Sequence, residues 1–290
     1  MAIPINTILH ALRYKHWIKN VFIFVPLFFG QQLLTSFLNY KLWLAFICFC
    51  LLTSMVYLFN DLVDVNDDKL HPENRKRAYA SGLIAPHEVL NLMGILAIPV
   101  LILGAISHIL LPVFLYFILN IAYSLKLKSI PILDIIILSL GFIFRLWAGA
   151  SATNIPLSIW LILITFLLAL FLALGKRRSE KIMSKTKTIK IKSAVSFYKV
   201  KQIDIAMYVL AGLNCLAYFA YTIAPEVTTR FQSDKIYITV FFVLLGYVRY
   251  FFIIRSRPRK TTPVSLLFED RYLYLIIIGW VLTFYWLIYV

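Results

Sequence analysis

Long apolar stretches alternate with short polar ones along the chain. Nineteen uncharged residues stand between Lys41 and Asp61, 37 between Glu88 and Lys126, 30 between Arg145 and Lys176, and 21 between Asp204 and Glu226. The last 19 residues, from Tyr272, carry no charge. A helix needs about 20 apolar residues to cross a bilayer core. The pattern therefore predicts spans near 20–38, 42–60, 89–107, 111–127, 133–151, 156–175, 205–224, 236–254 and 272–290. Backbone polar groups inside lipid have to be satisfied within the protein, which helices do segment by segment. The predicted fold is all-α, a bundle of nine transmembrane helices. It forms one domain over residues 1–290, with cytoplasmic loops at 61–88 and 176–204.

Composition agrees with that pattern. The 290 residues are 61% hydrophobic and only 14% charged, and the mean hydropathy is +0.84. A water-soluble domain of this size has no way to hide so much apolar surface. The charge is lopsided as well. With the N-terminus inside, 24 of the 29 lysines and arginines fall in inner segments and 3 in outer ones. This is the positive-inside asymmetry. It predicts a multi-pass protein of the cell inner (plasma) membrane whose charged face looks into the cytoplasm.

The net charge of +16 is accounted for by that asymmetry and by attraction to anionic lipid. The basic residues are scattered over several loops without a recognition motif, so a nucleic-acid partner is excluded. Cys48, Cys50 and Cys215 lie in apolar spans and read as small core residues. "LRYKHWIKN" reads as an interfacial segment ahead of an uncleaved first span.

The densest chemistry follows the second span, in "YLFNDLVDVNDDKLHPENRKRAYASG". Asp61, Asp64 and Asp68 are spaced i, i+3, i+7, which places them on one helical face. Asp67 points elsewhere. Three carboxylates on one stripe repel each other, and a divalent cation among them removes the repulsion. Oxygen ligands of this kind suit Mg²⁺, which takes a few carboxylates together with substrate phosphate oxygens. Asn60 precedes the stripe, and Lys69, Arg75, Lys76 and Arg77 follow it within one loop. Carboxylates with a metal beside a basic loop describe a diphosphate site. The competing reading is a solvated helix end with ordinary topological charge. His71-Pro72 shapes a turn or supplies a catalytic histidine.

A second constellation lies in "YSLKLKSIPILDIIILSLGFIFRLWAGA". Lys126 and Lys128 close the fourth span and Asp134 opens the fifth. Gly141 and Arg145 share a face with Asp134, with Arg145 about 16 Å further along the helix. An intramembrane arginine is costly unless it faces protein or a water-filled cavity, so Arg145 is either a site residue or a buried structural partner. "GKRRSE" closes the sixth span with Lys176, Arg177, Arg178 and Glu180. Lys181 to Lys201 reads as a surface helix on anionic lipid.

N-D-x-x-D-x-x-x-D at the inner end of the second span, Y-x-x-K after the fourth, and nine spans together resemble the UbiA superfamily of intramembrane prenyltransferases. "LRYKHWIKN", "HPENRKRAYASG", "YSLKLKSIPILD", "GFIFRLWAGA", "GKRRSE" and "EDRYL" are similar to the decaprenyl-phosphate phosphoribosyltransferase branch. The resemblance implies a nine-helix bundle with a cytoplasm-facing cavity open to lipid. It implies Mg²⁺ as cofactor, phosphoribosyl diphosphate as donor and a polyprenyl phosphate as acceptor. Carried over by position, Asp61, Asp64 and Asp68 hold the metal, and Asn60 joins them at the diphosphate. Lys19, Lys69, Arg77, Tyr123, Arg145, Lys176 and Arg177 become substrate-binding residues. Lys126 and Asp134 join Asp61 and Asp64 as catalytic ones. The chain departs from that branch at Lys69, Asn74 and Ala78, where the branch has Arg, Lys and Pro, and this puts the donor assignment in question.

Only Asp134 stands where aromatic prenyltransferases of the superfamily carry a second aspartate-rich motif. One metal site fits one diphosphate donor, and a phosphate acceptor is already anionic near neutral pH, so no strong base is needed. Three rivals remain: transfer of a prenyl chain to an aromatic acceptor, a membrane transporter, and an inactive lipid-binding scaffold.

Overall fold

The computed structural model describes residues 4–70, 74–186, 196–256 and 269–289. These are mostly helical, with short turns between the helices and no strand among the described residues. Seven helices are long and apolar enough to cross a membrane: Tyr40–Val63, Pro86–Ile106, Leu133–Thr153, Ile159–Ile182, Val200–Ile223, Ile236–Ser256 and Arg271–Tyr289. The apolar helix Leu110–Leu125 is shorter. The chain is a multi-pass membrane protein.

The boundaries differ from the sequence pattern in two places. The first expected span, 20–38, is not one helix. A 3₁₀ segment Tyr14–Phe24 leads into the short helices Val25–Phe29 and Leu33–Ser36. The break falls where Gly30 caps Val25–Phe29 and Gln31 takes a left-handed backbone, φ 53°. The sixth helix runs on through the basic knot to Thr186, so "GKRRSE" does not close it. Beyond the apolar run, Arg177 pairs with Glu180 and Arg178 with Asp204. Residues 187–195 of the expected surface helix lie outside the described residues, as does His71.

The described residues separate into two compact units, those up to 157 and those from 158 onward. In the first, Tyr40–Val63 is central. It packs against Pro86–Ile106, Leu110–Leu125, Leu133–Thr153 and the 3₁₀ segment Tyr14–Phe24. Burial follows position: 61% of the apolar stretch of Tyr40–Val63 is covered, against 17% for Pro86–Ile106. Ile95, Ile98 and Leu101 of the latter stand exposed, as an apolar lipid-facing side requires. The two most covered helices, Tyr40–Val63 and Leu133–Thr153, are also those that carry Asp61, Asp134 and Arg145. Ile23, Leu27, Phe49, Leu52 and Leu58 fill the core between them. Gly149 allows the closest approach: a Cβ there would lie 1.8 Å from the Ile23 carbonyl oxygen.

In the second unit, Ile159–Thr186 packs along Val200–Ile223, and Val240–Ser256 along Arg271–Tyr289. Phe171 meets Tyr247, Tyr250 and Phe251 edge-on or tilted. Arg178 ties three helices together: its Nε donates to Asp204 at 2.5 Å and its Nη1 to the Ile254 carbonyl at 3.0 Å. Asp270 receives both Arg249 Nε and Nη2, at 3.0 and 2.7 Å, and caps the last helix by accepting from the Leu273 amide at 2.9 Å.

Candidate active site

Asp61 ends the central helix Tyr40–Val63, Asp64 is its C-cap, and Asp68 lies in the helix Val65–Leu70. The two helices run on almost without a break. The amides of Asp64 and Asp68 bond to the carbonyls of Asn60 and Asp64, at 2.9 and 2.8 Å. The three aspartates therefore keep one face and are buried, with 5%, 4% and 1% of their surface exposed. Asp67 and Lys69 are exposed.

Burying three carboxylates is costly unless each is paired, and each is. Arg13 Nη2 bonds Asp61 Oδ1, Lys128 Nζ bonds Asp64 Oδ1, and Arg77 Nη1 bonds Asp68 Oδ2. The same Arg77 nitrogen lies 3.4 Å from Asp61 Oδ1. Asn74 Nδ2 donates to Asp68 Oδ1 at 2.8 Å, and Asn60 Nδ2 to Asp64 Oδ2 at 3.3 Å. Asn74, where the resembling branch has lysine, thus serves as a neutral donor to the stripe.

Arg13 and Lys128 emerge from the structure alone. Arg13 sits between Ile5–Ala11 and Tyr14–Phe24 with a left-handed backbone, φ 50° and ψ 45°, which is uncommon outside glycine. Its guanidinium lies over the Tyr57 ring, 4.8 Å from the centroid. Burial pulls this guanidinium below its usual range, and the charge of Asp61 opposes that. Lys128 belongs to the short 3₁₀ turn Leu127–Ser129. Lys126, the expected catalytic cation, is exposed at the C-cap of Leu110–Leu125. Its backbone, φ −143°, leaves the helix, and that change of direction presents Lys128 to the acids instead.

Arg145 is buried deeper in the same unit. Its Nε donates to Asn20 Oδ1 at 2.7 Å, Nη1 to the Gly141 carbonyl at 2.6 Å, and Nη2 to the Tyr116 hydroxyl at 3.1 Å. The Tyr116 and Phe142 rings lie 5.1 and 5.5 Å from its carbon Cζ. Asn20 turns its own amide toward Cys50 and Thr53. Three segments thus meet on one guanidinium, and its hydrogen-bond acceptors here are all neutral. Lys19, half-buried, is pushed down to about 8, first by burial and then by the like charges of Arg145 and Arg13. Asp134 is fully buried in the first turn of Leu133–Thr153, and Tyr123 is half-buried on Leu110–Leu125. Lys176 and Arg177 lie in the second unit, where both face Glu180, at 3.9 and 2.6 Å.

No group of three His, Cys, Asp or Glu among the described residues is gathered closely enough to hold a metal unaided. The oxygen chemistry nevertheless fits a hard cation. Arg77 Nη1 already bridges Asp61 and Asp68, which is the place a cation takes between two carboxylates. Such a site suits Mg²⁺ held by one or two carboxylates and completed by substrate phosphates rather than by a full protein cage.

Residues 21–276 match the UbiA prenyltransferase family. The decaprenyl-phosphate phosphoribosyltransferase of Mycolicibacterium smegmatis is 28% identical over 96% of this chain and 91% of its own length. The protein of that name from Mycobacterium tuberculosis is 26% identical, covering 95% and 92%. A solved UbiA homolog from Archaeoglobus fulgidus, bound to GPP and Mg²⁺, superposes with a TM-score of 0.72. It is 19% identical and is covered to 100%, against 98% of this chain.

Proposed function

Since the chain belongs to the UbiA prenyltransferase family, we propose that it transfers a 5-phosphoribosyl group from phosphoribosyl diphosphate to a polyprenyl phosphate and releases diphosphate. One observation carries the reading: three buried carboxylates on one face, each opposed by a cation. The names of relatives matched over nearly the whole chain support the substrate pair.

Asp61, Asp64 and Asp68 would hold Mg²⁺, which neutralises charge on the departing diphosphate when bound. Arg77, Lys128 and Arg13 stand where they meet the same charge, so the leaving group departs into a field built for it. The bond from the ribosyl carbon to the diphosphate oxygen breaks, and a bond from that carbon to an oxygen of the lipid phosphate forms. The attacking phosphate is already ionised at neutral pH, so the residues need to orient it rather than deprotonate it. The polyprenyl tail stays in apolar surroundings, where each buried CH₂ stabilises by about 0.8 kcal/mol. The reaction takes place at the inner membrane, with the aspartates on the cytoplasmic side.

A second reading is transfer of a prenyl chain from a polyprenyl diphosphate to an aromatic acceptor, favoured by the fold neighbour bound to GPP and Mg²⁺. The purified protein, reconstituted with polyprenyl phosphate and an aromatic acid, separates the two. Labelled phosphoribosyl diphosphate should yield a labelled lipid. Diphosphate release only from a polyprenyl diphosphate would establish the second reading instead.

A further inference from the structure

The three cations on the acidic stripe come from three separate parts of the chain. Arg13 precedes the 3₁₀ segment Tyr14–Phe24, Arg77 follows the stripe, and Lys128 sits in the turn beyond Leu110–Leu125. Their charges cancel those of Asp61, Asp64 and Asp68. A divalent cation added alone would displace these nitrogens and leave a surplus of two positive charges in a buried place. A diphosphate added alone would bring its negative charges to a cluster that is already neutral. Arriving together, the two nearly cancel, and the displaced nitrogens find phosphate oxygens to bond.

The geometry points to such an exchange: we propose that Arg13 and Lys128 are donor-binding residues stored on the metal-binding carboxylates. They transfer to the diphosphate as it enters with its metal, so each ligand binds poorly without the other. Arg13 is suited to this. It carries backbone strain of the kind that persists where the surroundings impose it. Its guanidinium also has the Tyr57 face to slide across. Lys128 is a flexible stem with three donors and no fixed bonding plane. The inference rests on the acidic stripe being a metal–diphosphate site, and not on which group the diphosphate carries.

Calorimetric titration of the purified full chain with Mg²⁺ alone, inorganic pyrophosphate alone, and each in the presence of the other tests it. Each ligand should tighten the other by the same factor, as linkage requires, and by about tenfold or more, the scale of one charged hydrogen bond. Arg13→Ala should move the two affinities in opposite directions. Mg²⁺ alone binds more tightly, because a carboxylate has been freed, while pyrophosphate with Mg²⁺ binds about tenfold more weakly. Lys128→Ala, on a different segment, should do the same and serves if the first variant fails to fold. Arg13→Lys should restore most of the pyrophosphate affinity.

Fixed structural pairs behave otherwise. Their loss lowers thermal stability and weakens both ligands together, and Mg²⁺ then binds equally with and without pyrophosphate. Either result overturns the exchange. Pyrophosphate is common to phosphoribosyl and prenyl donors, so failure of the phosphoribosyl assay would leave this outcome standing, and the reverse also holds.

Discussion

Asp61 and Asp68 share one cationic nitrogen, Nη1 of Arg77, 3.4 Å from the first carboxylate and ion-paired to the second. Seven residues apart in sequence, they are joined because the helix of Asp61 continues through Asp64 almost in register. Arg13 is also paired with Asp61, so neither buried carboxylate is left without a cation, as the burial of charge requires.

Asp61→Asn and Asp64→Asn should each lower turnover by more than about 100-fold, the scale of losing a group aimed at reacting charge. Helicity should be unchanged, because both positions keep their backbone bonds. Initial rates and circular dichroism of the same preparations check this. Full turnover in either variant would remove the metal-holding role.

Lys128→Ala should impair the reaction far more than Lys126→Ala, since only Lys128 reaches a carboxylate of the stripe. Steady-state assays of the two variants read the difference directly. An equal loss, or a larger one at Lys126, would mean that the turn Leu127–Ser129 rearranges when substrate binds.

Arg145→Ala strips partners from Asn20, Gly141 and Tyr116 at once. Each buried polar group left unpaired costs about 1–3 kcal/mol, so a loss of at least about 2 kcal/mol is expected. Lysine should not rescue it, because an ammonium cannot reach in three fixed directions from one plane. Arg249→Ala breaks a half-exposed pair with Asp270 and should cost about 1 kcal/mol or less. Thermal unfolding in one detergent ranks the two.

Asp270 gives a pH signature to the second unit. Hydrogen bonding from Arg249 holds its carboxyl below the usual range; burial works against this, and the Leu273 amide helps. Its folded value is thus below its unfolded one, and its contribution is complete above the unfolded value of about 3.8. It is lost as pH falls through the folded value. The stability gap between the native chain and Asp270→Asn should be level from pH 7 to about 5 and close in stronger acid. A gap that closes already between pH 7 and 5 would contradict the assignment.

Much of the fold can be read from charge spacing, because each apolar run long enough to cross lipid has one stable choice of structure. The failure at 20–38 is instructive. That run is apolar enough, yet Gly30 and Gln31 end its helix, and hydropathy does not register a backbone turn. The aspartate stripe was legible for the opposite reason, since its spacing is a local helical property. Its partners were not. Arg13 and Lys128 lie 48 and 64 residues away from the acids they meet, and no local pattern joins them. A basic residue set among the polar positions of "LRYKHW" was the available signal for Arg13, and it read as topology. Lys126 is singled out by the Y-x-x-K resemblance, whereas no local pattern marks Lys128, two residues on, as the partner of Asp64.

The most direct test is a density map of the chain with Mg²⁺ and phosphoribosyl diphosphate. The account predicts metal density about 2.1 Å from carboxylate oxygens of the Asp61–Asp68 stripe. The diphosphate should touch that metal, with Arg77 displaced from between the two acids. A donor bound elsewhere, with Arg77 still bridging Asp61 and Asp68, would contradict it.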